Sequence, residues 1–191
     1  MCILGLSKTL RYDFHYNYIR QKYNNRAKLL FTNTNSLTNE IEAEDVYADF
    51  WQDKNEFDNS DYAEDSKFYG KTNKKVIGKF KDEACGIPII DFVGLRSKMY
   101  SYVKDNDKGA KTAKGIKKNV VKKEIKHEDY KKTLFNSEQI YHKMNTIRRQ
   151  NHKLASYTLN KISLSCFDDK RYIHNDGRNS YAYGHYQTTQ N

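Results

Sequence analysis

Apolar and polar positions change period several times along the chain, and each change marks an element. Between Tyr12 and Tyr23 the residues Tyr12, Tyr16, Ile19 and Tyr23 recur at helical spacing with no Gly or Pro, which predicts a helix with an aromatic stripe. Asn24-Asn25 is a stop signal. Ala27 to Thr32 is a short apolar run, Asn33-Thr34-Asn35-Ser36 is polar, and Leu37 to Ile41 returns, a pattern that predicts a β-hairpin. Asn tolerates left-handed backbone angles, which suits such a turn. Ala43 to Lys54, with Val46, Tyr47, Phe50 and Trp51, predicts a helix, followed by a loop around Asn59-Ser60-Asp61.

Residues 75–82 alternate as a strand, Gly86 marks a turn, and Ile87 to Phe92 reads as a strand that Val93 to Val103 continues as extended chain. Pro88, the single proline, stands near the start of that run, where a missing donor is best tolerated. Asp105 to Gly109 is turn-rich and divides the chain into residues 1–105 and 106–191. Residues 120–153 predict mostly helix, over His127 to Leu134 and over Ser137 to Thr146 with Ser137 as N-cap. Asn175-Asp176-Gly177 predicts a turn, and Gln187 to Asn191 a frayed end.

Composition sharpens this picture. Mean hydropathy is −0.98, yet 16 Tyr and 9 Phe supply core-building side chains where aliphatics are sparse. Such aromatic content argues against disorder. The net charge of +10 is uneven: residues 40–65 hold 11 acidic residues and one Lys, whereas residues 106–161 hold 15 Lys/Arg and five Asp/Glu. The basic stretch is an electrostatic footprint for a polyanion. Cys2, Cys85 and Cys166 are scattered and lack zinc or disulfide-framework spacing. No apolar run is long enough for a signal-peptide core or a membrane span, so the expectation is a soluble intracellular protein with no membrane partner.

The hairpin carries the informative motif. Phe31-Thr32-Asn33-Thr34-Asn35-Ser36-Leu37 resembles the Y-x-D-T-D-S motif of family B DNA polymerases, and Gly94-Leu95-Arg96-Ser97-Lys98-Met99-Tyr100 resembles the K-x-Y motif of the protein-primed members carried by some viruses and large DNA transposons. The resemblance runs from the helix at Tyr12 to Tyr186. It implies an α+β fold. Residues 1–105 would form the C-terminal half of a polymerase palm, an antiparallel sheet with helices on one face. Residues 106–191 would form a basic, mainly helical thumb-like segment that grips primer-template duplex.

The chemistry explains why the family places aspartates there. Nucleotidyl transfer uses two metal ions about 3.5–4 Å apart, and Mg²⁺ favours charged carboxylate oxygens. Asn33 and Asn35 stand where the family has Asp. An amide oxygen can ligate a cation but brings no negative charge. The palm motif with the third aspartate, the fingers motif and any exonuclease segment have no recognisable counterpart in the chain. The expectation is therefore a chain without intact catalytic residues or a metal cofactor of its own, although the family uses two Mg ions, and one that does not polymerise DNA alone.

The resemblance places Lys98 and Tyr100 near a primer terminus, alternating with Met99 on one extended strand and so sharing a face. Lys114, Lys117 and Lys118, extended by Arg148, Arg149 and Lys153, are the expected contacts to duplex backbone. The six histidines lack metal-site spacing. Three other readings stay open: a chain active once joined to a missing N-terminal polymerase half, a noncatalytic nucleic-acid-binding module, and an interaction domain in which the acidic stretch meets the basic one. A palm sheet missing one strand would expose an edge and an apolar face, so marginal stability is expected.

Overall fold

The computed structural model describes residues 2–167, 171–174, 179–182 and 185–188. The turn expected at Asn175-Asp176-Gly177 lies outside them, as do residues 189–191 of the expected frayed end. The chain is mixed α and β with small sheets, in two compact units: Met1–Phe92 with Tyr102–Ala110, and Val93–Ser101 with Lys111–Asn191. No helix among the described residues is long and apolar enough to cross a membrane.

The first unit opens with α1 (Cys2–Asp13), a π-helical segment Phe14–Ile19 and α2 (Arg20–Tyr23). The expected aromatic stripe is rotated: Tyr12 and Tyr16 are 50% and 60% exposed, while the buried residues are Arg11, His15, Ile19 and Tyr23, each four after the last. An α-helix turns 100° per residue, so a strict four-residue stripe drifts by about 40° per step. The wider i→i+5 turn of the π-segment counteracts that drift and keeps the four on one side.

Ile19, Tyr23 and Ala27 form a small core with Phe14, Tyr18, Ile41, Val46 and Phe50 around it. Strands β1 (Ala27–Asn33) and β2 (Ser36–Ile41) make the expected antiparallel hairpin. The helix expected over residues 43–54 is shorter, α3 (Val46–Gln52), because Asp45 caps it by accepting from the backbone N–H of Tyr47 and Ala48 at 3.0 Å. Aromatic rings do much of the packing, as composition leads one to expect: Phe14 stacks on Phe80 at 3.8 Å between centroids and Phe50 on Phe57 at 4.6 Å.

The strand expected over residues 75–82 does not form, with turns at residues 75, 77 and 78. Only Phe80 pairs, as an isolated bridge to Phe57. Lys75 and Gly78 take φ of 60° and 91°, which extended chain cannot accommodate. Asp58 also draws the segment inward, accepting from the Lys75 N–H at 3.1 Å and pairing with Lys81 at 3.2 Å.

Strands β3 (Ile89–Arg96), β4 (Met99–Lys104) and β5 (Gly109–Ala113) form one sheet in that order. The single extended run expected to Val103 is thus folded back at residues 97–98. Seventeen unbroken strand residues would reach about 56 Å, whereas the turn lets two strands pair and bring Val93 and Met99 into one core.

The second unit's core comprises Val93, Met99, Ala113, Val120, Val121, Ile125, Tyr130, Met144 and Leu164. It gathers α4 (Lys118–Lys123), α5 (His127–Phe135), β6 (Ile140–Gln150) and β7 (Lys153–Leu164). Ile125 and Leu164 are fully buried, each contributing about 1.5–3 kcal/mol. The expected helix at His127 forms as α5. The helix expected over Ser137 to Thr146 does not: Ser137 takes φ 56° rather than capping, and Ile140 onward pairs with β7 over eleven residues. Ile140, Thr146 and Ile147 suit a pleated strand, and pairing with Leu164, Tyr157 and Ser156 across the ladder outweighs the helical spacing. The segment after residue 106, expected to be mainly helical, is therefore not so. Strands β8 (Arg171–Ile173) and β9 (Ser180–Ala182) form a separate short pair.

Candidate nucleic-acid interface

The β1–β2 ladder runs from Ala27↔Ile41 to Asn33↔Ser36 and leaves Thr34-Asn35 as a two-residue turn. Thr34 is left-handed, φ 56°, a costly conformation for a β-branched residue. Two hydrogen bonds hold it. Ser36 Oγ donates to the Asn33 carbonyl at 3.0 Å, and the Arg11 guanidinium donates from α1 to the Thr34 carbonyl at 2.6 Å. Arg11 is buried, with Nε unpartnered. Asn33 ends β1 half-buried and Asn35 is exposed at the second turn position. Both amides stand at the hairpin apex. Among the described residues no group of three or more His, Cys, Asp or Glu is disposed to hold a metal ion.

The acidic stretch is put to structural use. Asp49 accepts from the Tyr23 hydroxyl at 2.9 Å, and Asp53 accepts from the Tyr18 hydroxyl at 2.7 Å and from Lys22 at 2.5 Å. Burial alone would raise the Asp53 carboxyl, but the hydrogen bonds from Lys22 and Tyr18 outweigh it and hold the group below the usual carboxylate range. Burial and these carboxylates push the Tyr18 and Tyr23 hydroxyls far up, so both stay neutral donors. Asp58, buried, is likewise held low: donors from Ser60, Lys75 and Lys81 overcome the burial. Its ion pairs with Lys81, and those of Asp53, Glu56 and Glu64 with Lys22, Lys79 and Lys71, all use lysines of the first unit. A cleft of about 340 Å³ in this unit is lined by Asp13 and Glu56 among Leu10, Phe14 and Phe80. Its carboxylates repel phosphate.

In the second unit Lys98 and Tyr100 do not share a strand face. Lys98 sits in the β3–β4 turn at φ 60°, while Tyr100 lies half-buried on β4 beyond the buried Met99. The turn brings other cations together instead. The Lys114 N–H donates to the Lys98 carbonyl at 3.0 Å, and Lys161 Nζ donates to the Gly115 carbonyl at 2.9 Å. Lys117 stands at the N-terminus of α4 and Lys118 is its first residue. Lys98, Lys114, Lys117 and Lys118 are all exposed. Lys111 is used differently, its Nζ donating to the Ile125 carbonyl at 2.5 Å just beyond α4.

Sequence reasoning misses the largest feature, the β6–β7 ribbon. It closes on Asn151-His152, both left-handed at φ 49° and 62°, the backbone of a tight hairpin turn. At its root Met144, Ser163 and Leu164 are buried, and His142 Nδ1 lies 2.6 Å from Ser163 Oγ. From Asn145 to Thr158 no residue is buried. The ribbon holds Lys143, Arg148, Arg149, Lys153 and Lys161, and no acidic residue occurs between Glu138 and Asp168. That acid-free run, with β-branched residues and an Asn between its halves, is the signal that could have found it. Compared with protein-family models, with curated proteins and with solved structures, the chain matches none.

Proposed function

We propose that this chain is a palm-and-thumb remnant of a family B DNA polymerase of the protein-primed type, which holds duplex DNA inside the cell but does not copy it. The observation that carries the reading is the hairpin apex with Asn33 and Asn35. In the family the two corresponding hairpin positions carry the carboxylates that hold paired metal ions. Here both are neutral amides, so two charges are missing from a site that must hold two dications beside a triphosphate.

Duplex affinity rests on the exposed lysines around Lys98 and Lys114 and on the acid-free ribbon. Cations of this kind bind backbone phosphate without regard to sequence. The test pairs two measurements on the full chain. Binding to unrelated duplexes should weaken linearly in log–log plots against salt, and primer extension with Mg²⁺ and nucleotides should give no product. Template-directed incorporation by the unaltered chain, or absence of duplex binding at low salt, overturns the proposal.

The ribbon also favours a second reading, a noncatalytic nucleic-acid-binding module. Asn33→Asp with Asn35→Asp, supplied with the N-terminal half of a protein-primed polymerase, separates the two. Recovered extension supports polymerase descent, and none supports the module.

A further inference from the structure

We infer that the tip of the β6–β7 ribbon is a DNA-bending arm, with Ile147 and Leu154 as an apolar wedge between base steps of a duplex. The inference rests on the duplex-binding reading above and adds to it a deformation of the bound DNA.

The ladder pairs Ile147 with Ser156 and Arg149 with Leu154. Side chains alternate across a strand, so Ile147, Arg149, Leu154 and Ser156 share one face. Ile147 and Leu154 are 74% and 76% exposed. They stand on a diagonal, roughly 7–8 Å apart, and neither covers the other. Arg148, Gln150, Lys153 and Ala155 occupy the opposite face at the same level. The tip is thus a narrow blade with two bare aliphatic side chains, bounded by three cations and reached by no carboxylate of its own strands.

Charge selects the occupant. An apolar pair alone would suit another protein, but ringed by Arg148, Arg149 and Lys153 it complements a polyanion. Duplex DNA offers both halves of the match: phosphates along the groove walls and stacked bases between them. Proteins that insert Ile, Leu or similar side chains between base steps kink the duplex by roughly 20–90°, while neighbouring Arg and Lys enter the minor groove. The ribbon is long enough for this. Its eleven-residue strand spans roughly 36 Å, and its outer part touches no core.

A duplex of about 30 base pairs, well below the persistence length of about 150 base pairs, stays straight unless bent. With a dye on each end, the full chain should raise energy transfer on binding. Ile147→Ser with Leu154→Ser should keep the slope of log affinity against log salt, set by cations, and lose the rise in energy transfer. Arg148→Ala with Arg149→Ala and Lys153→Ala should make that slope shallower by about 0.9 for each phosphate the three side chains neutralise. All five positions are exposed, and a melt of each variant confirms that it is folded. Binding by the unaltered chain without a rise in energy transfer, or bending by the serine variant, overturns the arm and leaves duplex binding standing. A DNA-free dimer that the serine variant dissolves overturns it too. No binding by the unaltered chain at low salt removes the duplex reading and the arm together.

Discussion

Arg11 and Thr34 are joined by a 2.6 Å hydrogen bond from guanidinium to carbonyl, twenty-three residues apart in sequence. The bond ties the first helix to the hairpin apex and holds a left-handed Thr in place. Its charged donor is buried, so little solvent competes for it.

Arg11→Met keeps the aliphatic stem and removes the donor. The expected loss is about 1.5–3 kcal/mol, the range for hydrogen bonds to charged groups. Trp51, the single tryptophan, lies in the first unit and reports its unfolding in denaturant. An unchanged midpoint would mean that the bond contributes nothing.

Thr34→Gly should stabilise the same unit. A left-handed non-Gly residue costs of order 1–3 kcal/mol, and the entropy glycine adds to the unfolded chain returns about 0.4–1 kcal/mol of that. The net expectation is a gain of about 1 kcal/mol, with none for Thr34→Val, which keeps the branched side chain. Chemical denaturation of both variants provides the measurement, and equal midpoints would refute strain at this position.

His15 gives the first unit a pH dependence. Burial, reinforced by the Arg20 charge, lowers its imidazole below the ordinary 6.5, and its buried Nδ1 has no partner. As pH falls through 6.5 the unfolded chain takes up this proton while the folded chain does not. The unfolded state then binds more protons, so stability drops between 6.5 and the lowered folded value. His15→Phe should flatten the denaturation midpoint between about pH 7 and 5. An identical pH profile for the two proteins would exclude the mechanism.

Asp58 acts lower on the scale. Its folded carboxyl is held below the usual range, so its contribution is complete above the unfolded value of about 3.9 and disappears as pH falls below it. Asp58→Asn should cost about 1.5–3 kcal/mol at neutral pH through the lost charge-assisted bonds to Lys81 and to the Ser60 and Lys75 N–H groups. The gap between variant and parent should close in acid. A gap as wide at pH 2 as at neutral pH would place the cost elsewhere.

The Asn33–Ser36 hairpin is legible in the sequence because its signals are local, an apolar run, a polar stretch and a second run, although the left-handed turn position falls on Thr34 and not on an Asn. Helix α5 is legible for the same reason. What escapes depends on partners distant in sequence. Residues 75–82 alternate like a strand, but Asp58 captures Lys75 and Lys81 and bends them away. Residues 137–146 carry helical spacing, yet β7 supplies a ladder that no local window contains. Lys98 and Tyr100 read as one strand because nothing in Arg96-Ser97-Lys98 marks the turn between them. The basic residues near the proposed interface are visible as composition, whereas their gathering around Lys98 and Lys114 depends on a backbone bond that composition cannot express.

The π-helical segment between α1 and α2 has one further consequence. Its wide turn is equivalent to a spare residue wound into the helix. Deleting one residue from Phe14–Ile19 would let the segment rewind to ordinary pitch, with Ile19 and Tyr23 still seated on the core. Everything toward the N-terminus would then keep its heading, because the lost residue and the lost wide turn offset each other, whereas the same residues wound at ordinary pitch without the deletion would swing Arg11 by about 100° away from Thr34. The bearing of the apex is therefore governed by how a remote stretch of helix is coiled, as a screw thread sets the heading of whatever is fixed to its end.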